Sequence, residues 1–288
     1  MGQPRARAAL VAIHDLGTLG GAVSQGKAVN RRGQVVGTSR DALGRTRAFL
    51  WEESLGIVDL KPLTGVNTSA NDINDNGEIA GGGDTGFGDF HAYLLSAGTS
   101  FDLGTLGGNE SEALAVNGRG QVAGHSRGAG GGAPAKHAFV IAEPGTMIDL
   151  GTLGGATSIA HDVNETGAAV GLAETNRGEP RAFLWTATDG MHDLGTLGGR
   201  TSCANAINDA GCIVGVSQTG ATDARGLPVT HAFLRTPEGS MLDLGTLGGE
   251  HSAAVAVSDE DGGTVWVAGH SHDASARMRA VLWAVRLG

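Results

Sequence analysis

An acid, a hydroxyl and a cation recur at regular distances along this chain, and where the cation is histidine these are the three groups of a nucleophilic triad. The acids are Asp15, Asp59, Asp102, Asp149, Asp193 and Asp243. The hydroxyls are Ser24, Thr68, Ser111, Ser158, Ser202 and Ser252, and the cations Arg47, His91, His137, Arg181, His231 and Arg279. Arginine holds its proton at any pH a protein survives and cannot act as a general base. A set in which Arg freely replaces His therefore reads as six copies of a fastener.

Chemistry peculiar to this chain is expected where the copies disagree. Three residues before the Asn or Ser that closes the first strand of each unit stand Lys27, Asn71, Leu114, His161, Asn205 and Val255. Two residues earlier stand Gln25, Ser69, Glu112, Ile159, Cys203 and Ala253. Lys27, Glu112 and His161 supply a cation, a carboxylate and an imidazole, the set that proton transfer on a small ligand requires. They are the candidate catalytic residues, with Gln25, Asn71, Cys203 and Asn205 as ligand contacts beside them; the alternative is an idle, solvated channel. A second group is His251 with His270 and His272. Alternate residues of a strand share a face, and imidazoles suit zinc or another borderline metal. Asp72-Ile73-Asn74-Asp75-Asn76-Gly77 opens like a calcium loop, but its twelfth position is Gly83 and no carboxylate closes the shell. It reads as a hairpin.

The elements that must position these residues are written in a repeat. Asp-Leu-Gly-Thr-Leu-Gly-Gly begins at Asp15, Asp102, Asp149, Asp193 and Asp243, and in altered form at Asp59, so units start 43 to 50 residues apart. Each unit holds short apolar runs separated by turn residues. Strand A ends in motifs such as Ala28-Val29-Asn30, followed in five units by Asn-x-x-Gly, which is hairpin chemistry. Strand B carries Val-Gly or Ala-Gly, strand C opens with the cation and an aliphatic or aromatic run, and strand D leads into the Asp-Leu-Gly. Four strands per unit of this length predict a blade. The expected fold is all-β, one domain over residues 1–288: a closed six-bladed β-propeller with four strands per blade. An N-terminal strand over residues 9–15 is expected to complete the last blade and hide its edge.

These motifs, with Ser-x-Ala after the Gly-Gly and His-Ala-Phe or Ala-Phe-Leu-Trp in strand C, resemble the HAF-repeat family of bacterial proteins over essentially the whole chain. The resemblance implies an extracellular repeat protein and carries no catalytic residues with it. The recurring acid, cation and hydroxyl are similar to the Asp-His-Ser/Thr network of WD40 blades, with the hydroxyl entering from the neighbouring loop.

A net charge of -10 with only 20 Lys plus Arg leaves no basic stripe for nucleic acid. No apolar run reaches membrane-spanning or signal-peptide length, so the sequence as written predicts a cytoplasmic setting, against the extracellular one that the resemblance implies. The two cysteines, Cys203 and Cys212, are expected to be free thiols several residue pairs apart. No dinucleotide or phosphate loop is present, so no cofactor is expected. Aromatics, at 4%, are too few for a carbohydrate-stacking surface. The function expected is binding of a small polar molecule in a central funnel, on the face where strand A begins. Its catalytic form would be cofactor-free acid-base chemistry of lyase, isomerase or cyclase type. A protein partner held by the rim loops, above an inert channel, is the rival reading.

Overall fold

The computed structural model describes residues 13–129, 135–142 and 145–287, and all regular structure among them is β. Blade one is β1 (Gly20–Val29), β2 (Val35–Asp41), β3 (Thr46–Glu52) and β4 (Gly56–Asp59). Blade two is β5 (Thr68–Ile73), β6 (Ile79–Asp84), β7 (Phe90–Ser96) and β8 (Thr99–Asp102). Blade three is β9 (Gly107–Val116), β10 (Val122–Gly128), β11 (Lys136–Ile141) and the short β12 (Ile148–Asp149). Blade four is β13 (Gly154–Val163), β14 (Ala169–Thr175), β15 (Pro180–Thr186) and β16 (Gly190–Asp193). Blade five is β17 (Ser202–Ile207), β18 (Ile213–Thr222), β19 (Pro228–Arg235) and β20 (Met241–Asp243). Among the described residues blade six has three strands, β21 (Gly248–Val257), β22 (Thr264–Asp273) and β23 (Met278–Arg286).

Within a blade each strand pairs antiparallel with the next, as hairpin connections require. The Asn-x-x-Gly turn works as its chemistry predicts. In blade one Gly33 sits at φ +73°, a region glycine enters at no steric cost, and donates its N–H to Asn30 O at 3.0 Å. The Val-Gly of strand B has a different cause. Strand A bulges beside it, and a Cβ at Gly124 or Gly171 would collide with the carbonyl oxygen of Glu112 or Ile159.

One interface, repeated five times, joins the blades. The forward face of blade two, Ala80, Ala92 and Leu94, packs on the backward face of blade three, Ala113, Val116, Val122 and Phe139. Equivalent residues meet at the other four junctions. Two polar latches run through each. The N–H of the first Ala in strand C donates to the hydroxyl of the next blade: Ala48 to Thr68 (2.9 Å), Ala92 to Ser111 (2.8 Å), Ala138 to Ser158 (2.8 Å), Ala182 to Ser202 (2.9 Å) and Ala232 to Ser252 (2.9 Å). The Asn that ends strand A donates its Nδ2 to the backbone carbonyl at the same place in the next blade, from Asn30 to Asn74 (3.1 Å) on to Asn208 and Ser258 (2.8 Å). These bonds satisfy donors and acceptors that burial would otherwise leave unpaired.

The ring is not closed, which corrects the expected closed six-bladed propeller. The sheets are separate units of four, eight, four and seven strands; single parallel bridges join blades two and three (Phe90 with Glu110) and blades five and six (Thr230 with His251). No hydrogen bond or ion pair among the described residues joins blade six to blade one. The sixth copy of the latch would run from Ala280 N to Ser24 Oγ. Both residues are exposed, whereas Ala48, Ala92, Ala138, Ala182 and Ala232 are fully buried. The expected closing strand does not form over residues 13–15, since Ile13–Thr18 lie outside any strand, and its residues 9–12 lie outside the described residues. The physical reason is that repeats specify the blade and its contact with a neighbour, while closure depends on how far each contact turns the next blade.

Candidate functional site

The predicted catalytic residues stand on strand A, and the hydrogen bonds divide them. Lys27 Nζ on β1 donates to Asn71 Oδ1 on β5, and Asn71 Nδ2 donates to Glu112 Oε1 on β9 at 2.9 Å. Ser69 Oγ adds a second donor to the same Glu112 oxygen at 3.2 Å. Lys27, Asn71 and Glu112 thus form one run across three blades. His161, on β13, is bonded elsewhere. Its Nδ1 lies 2.9 Å from the Ala204 carbonyl oxygen, which can only accept, so the proton sits on Nδ1; Cys203 Sγ is 3.6 Å from the same nitrogen. Burial lowers the His161 pKa and pushes the Cys203 thiol up to about 11, so this pair is neutral at physiological pH. Asn205 Nδ2 donates to Ala254 O at 2.7 Å, and Gln25 is exposed on β1 opposite Thr38.

Asn71, His161 and Asn205 therefore share a role, each reaching forward to a backbone carbonyl of the next blade. The bulge in strand A aims them there. The recurring cations also meet their acids as expected: His91 and Asp102 at 2.9 Å, His137 and Asp149 at 2.9 Å, His231 and Asp243 at 2.8 Å, Arg47 and Asp59 at 3.1 Å, and Arg181 and Asp193 at 3.9 Å. The hydroxyls do not join them. Ser111, Ser158, Ser202 and Ser252 accept from the Ala N–H and donate to the carbonyl of the Asp-Leu-Gly glycine, so they serve the backbone alone.

His125 on β10 lies directly across from Glu112 and is 93% buried by side chain. The sequence places it too far around the ring to join the blade-six histidines, and gives it no other role. Its Nε2 is 3.0 Å from Lys136 Nζ, and Lys136 and Arg127 both pair with Glu110. Burial first, then Lys136, lowers the His125 pKa. Its Nδ1 has no partner among the described residues.

At the predicted metal group, the His251 and His272 rings meet edge-on with centroids 5.5 Å apart, and His251 Nδ1 is 3.0 Å from Thr230 Oγ1. His270 pairs across β22 with Ala253 and Ala280. The potential ligand atoms that come within 4.8 Å of one another belong to Asp223, Glu250 and His251. Asp223 is held by the backbone N–H groups of Arg225 and Leu227, both at 2.8 Å. Cys203 and Cys212 are free thiols, as expected.

The cavity shared by all six blades lies at the opposite end of strand A from the predicted funnel. It has a volume of about 350 Å³. Its collar is apolar, formed by Val29, Ile73, Val116, Val163, Ile207 and Val257, the last residues before the closing Asn or Ser. Above the collar stand the hairpin residues Arg31, Asp75, Glu165, Asp209 and Asp259. Each carboxylate accepts a backbone N–H from the preceding blade: Asp75 from Arg31 (2.8 Å), Glu165 from Gly118 (2.5 Å), Asp209 from Glu165 (2.9 Å) and Asp259 from Asp209 (3.1 Å). Asp75 is also paired with Arg31 at 3.1 Å, and Arg119 lies 3.9 Å from Glu165. Asp209 and Asp259 have no ion-pair partner among the described residues. The signal was in the sequence: the residue after the recurring Asn varies from Arg31 to Asp75, Gly118, Glu165 and Asp209, the same kind of disagreement between repeats that marks Lys27 and His161.

No protein-family model matches the chain, and no curated protein matches it either. Among solved structures it is similar to TolB from Acinetobacter baumannii, with a TM-score of 0.50 at 13% identity, over 76% of this chain and 53% of that one. The chain spans about half the length of the TolB chain it matches. A DUF4784 family protein from Bacteroides caccae aligns at a TM-score of 0.34 and 13% identity, over 87% of this chain and 70% of that one. The likeness to TolB supports a propeller-type all-β fold and nothing about activity. No helix among the described residues is long and apolar enough to cross a membrane.

Proposed function

We propose that this protein binds a small, positively charged polar molecule in the depression ringed by the six A-to-B hairpins. The observation that carries the reading is a single concavity to which every blade contributes, with an apolar collar below and carboxylates at its mouth. A volume of about 350 Å³ falls at the lower end of the range of small-molecule pockets, roughly 300–1,000 Å³. Sign follows from the lining. Asp75 is neutralised by Arg31, while Asp209 and Asp259 each hold one backbone N–H and have no ion-pair partner among the described residues. An ammonium or guanidinium group placed between them gains charge-assisted hydrogen bonds that a neutral sugar or an organic acid does not.

Melting temperature in the presence of a panel of small primary amines and guanidines, against matched polyols and carboxylic acids, tests the proposal. A binder of the folded state raises the melting temperature by mass action. The expected result is a rise with one or more cations that is lost in the Asp209→Asn, Asp259→Asn double variant. Stabilisation by the cations that survives the double substitution, or none from any of them, overturns it.

A further inference from the structure

Blade six presents a forward face and blade one a backward face with the residue types that fit together at the five internal junctions. In blade six the forward face is Ala268, Ala280 and Leu282, at the places of Ala80, Ala92 and Leu94 in blade two. Ala280 is exposed and Leu282 is 63% exposed. In blade one the backward face holds Gly26 and Val29, at the places of Ala113 and Val116. Val29 is 64% exposed, whereas Ile73, Val116, Val163 and Ile207 are buried; Phe49, at the place of Phe139, is buried.

The polar complement is split between the same two surfaces. Ala280 offers a strand C N–H with no acceptor among the described residues, and Ser24 an exposed hydroxyl whose other bond, to Gly17 O at 2.7 Å, is the one made by Ser111 and its counterparts. Arg279 turns to Asp273 at 3.4 Å, and Asp15, the remaining acid of the series, holds the N–H of Gly17. At two internal junctions a parallel bridge joins the residue before the cation to the residue before the hydroxyl, Phe90 with Glu110 and Thr230 with His251. The corresponding residues at the sixth junction are Met278 and Val23, 66% and 61% exposed. β23 is also an edge strand, paired only with β22 among the described residues. A long apolar edge is a template for another chain. The Asn latch alone is missing, because Ser258 stands where the donor would be.

We infer that the occupant of these faces is a second copy of this chain, with blade one of one protomer packed on blade six of its partner in the geometry of the five internal junctions. The occupant is identified by continuity, since the interface already exists five times and both halves of a sixth are present, unpaired among the described residues. The two halves differ, so the contact is head-to-tail.

Sedimentation velocity on two substitutions and their mixture tests this. Ser24→Arg blocks only the blade-one face and Ala280→Arg only the blade-six face, and both positions are exposed in the single chain. The wild-type chain is expected to sediment as more than one copy at micromolar concentration. Each variant is expected to be a monomer with unchanged far-ultraviolet circular dichroism. Mixed, they are expected to form a pair of two chains and nothing larger, because one intact face of each kind remains; that recovery also shows both variants are folded. Ser24→Ala, which removes the acceptor together with the bond to Gly17 O, is expected to weaken wild-type association several-fold. A wild-type monomer at every concentration, variants that stay associated, or a mixture that recovers no pair overturns the inference.

Discussion

Asp162 occupies a place where Ala28, Ala115, Ala206 and Ala256 show that no carboxylate is needed. It is half-buried, and the burial raises its pKa to about 6, although Oδ1 and Oδ2 accept the N–H groups of Val163 (2.8 Å) and Ile207 (2.9 Å). Asp72, at the matching place in blade two, is shifted the same way for the same reason. Because the folded state holds the Asp162 proton more tightly than the unfolded chain, its contribution to stability is full below pH 3.8 and is lost as pH rises through about 6. The loss is about 3 kcal/mol for a shift of this size. Asp162→Asn is expected to remove it, so the melting temperature of the variant minus that of the wild type rises across this window and levels off above it. Thermal melts over a pH series check the sign. A difference that stays flat, or falls, contradicts burial as the dominant effect. At this scale the sequence made the acid–cation pairs legible, because antiparallel strands C and D bring them opposite. It did not reveal the bonds of the hydroxyls or the Asn side chains, since a residue type does not show whether its polar atom meets a side chain or a backbone group one blade away.

The blade is the element most legible in the chain: the strand order, the Asn-x-x-Gly turns and the Val-Gly of strand B all stand where the repeats put them. The contact between blades is carried by the hydroxyl latch. Ser158→Ala leaves the buried N–H of Ala138 without an acceptor and is expected to cost roughly 1–3 kcal/mol. Ser24→Ala, at the same place in an exposed strand, is expected to change the stability of the single chain by less than about 0.5 kcal/mol. Denaturant unfolding of the two variants in dilute solution compares them. Equal losses would mean that Ser24 is latched like the rest. The candidate site was half legible at this level. Strand A leads to the shared depression, but the depression is built from the residue after the recurring Asn, beyond Lys27, Glu112 and His161, where strand A has already ended.

Across the whole molecule, six similar blades enclose one depression without meeting at the ends. Curvature is a property of five packed junctions taken together, and no single repeat encodes it, so closure was the part of the fold that the sequence could not show. The same openness leaves Leu282 and Val29 to solvent and places the depression within reach of ligand from the hairpin side. Amide hydrogen exchange on the chain diluted to its monomer tests this most directly, read at the six equivalent alanines of strand C. Slow exchange at Ala48, Ala92, Ala138, Ala182 and Ala232 with fast exchange at Ala280 is the predicted result. Protection of all six to the same degree in the monomer would mean that the sixth junction is made within one chain, and would contradict the open ring.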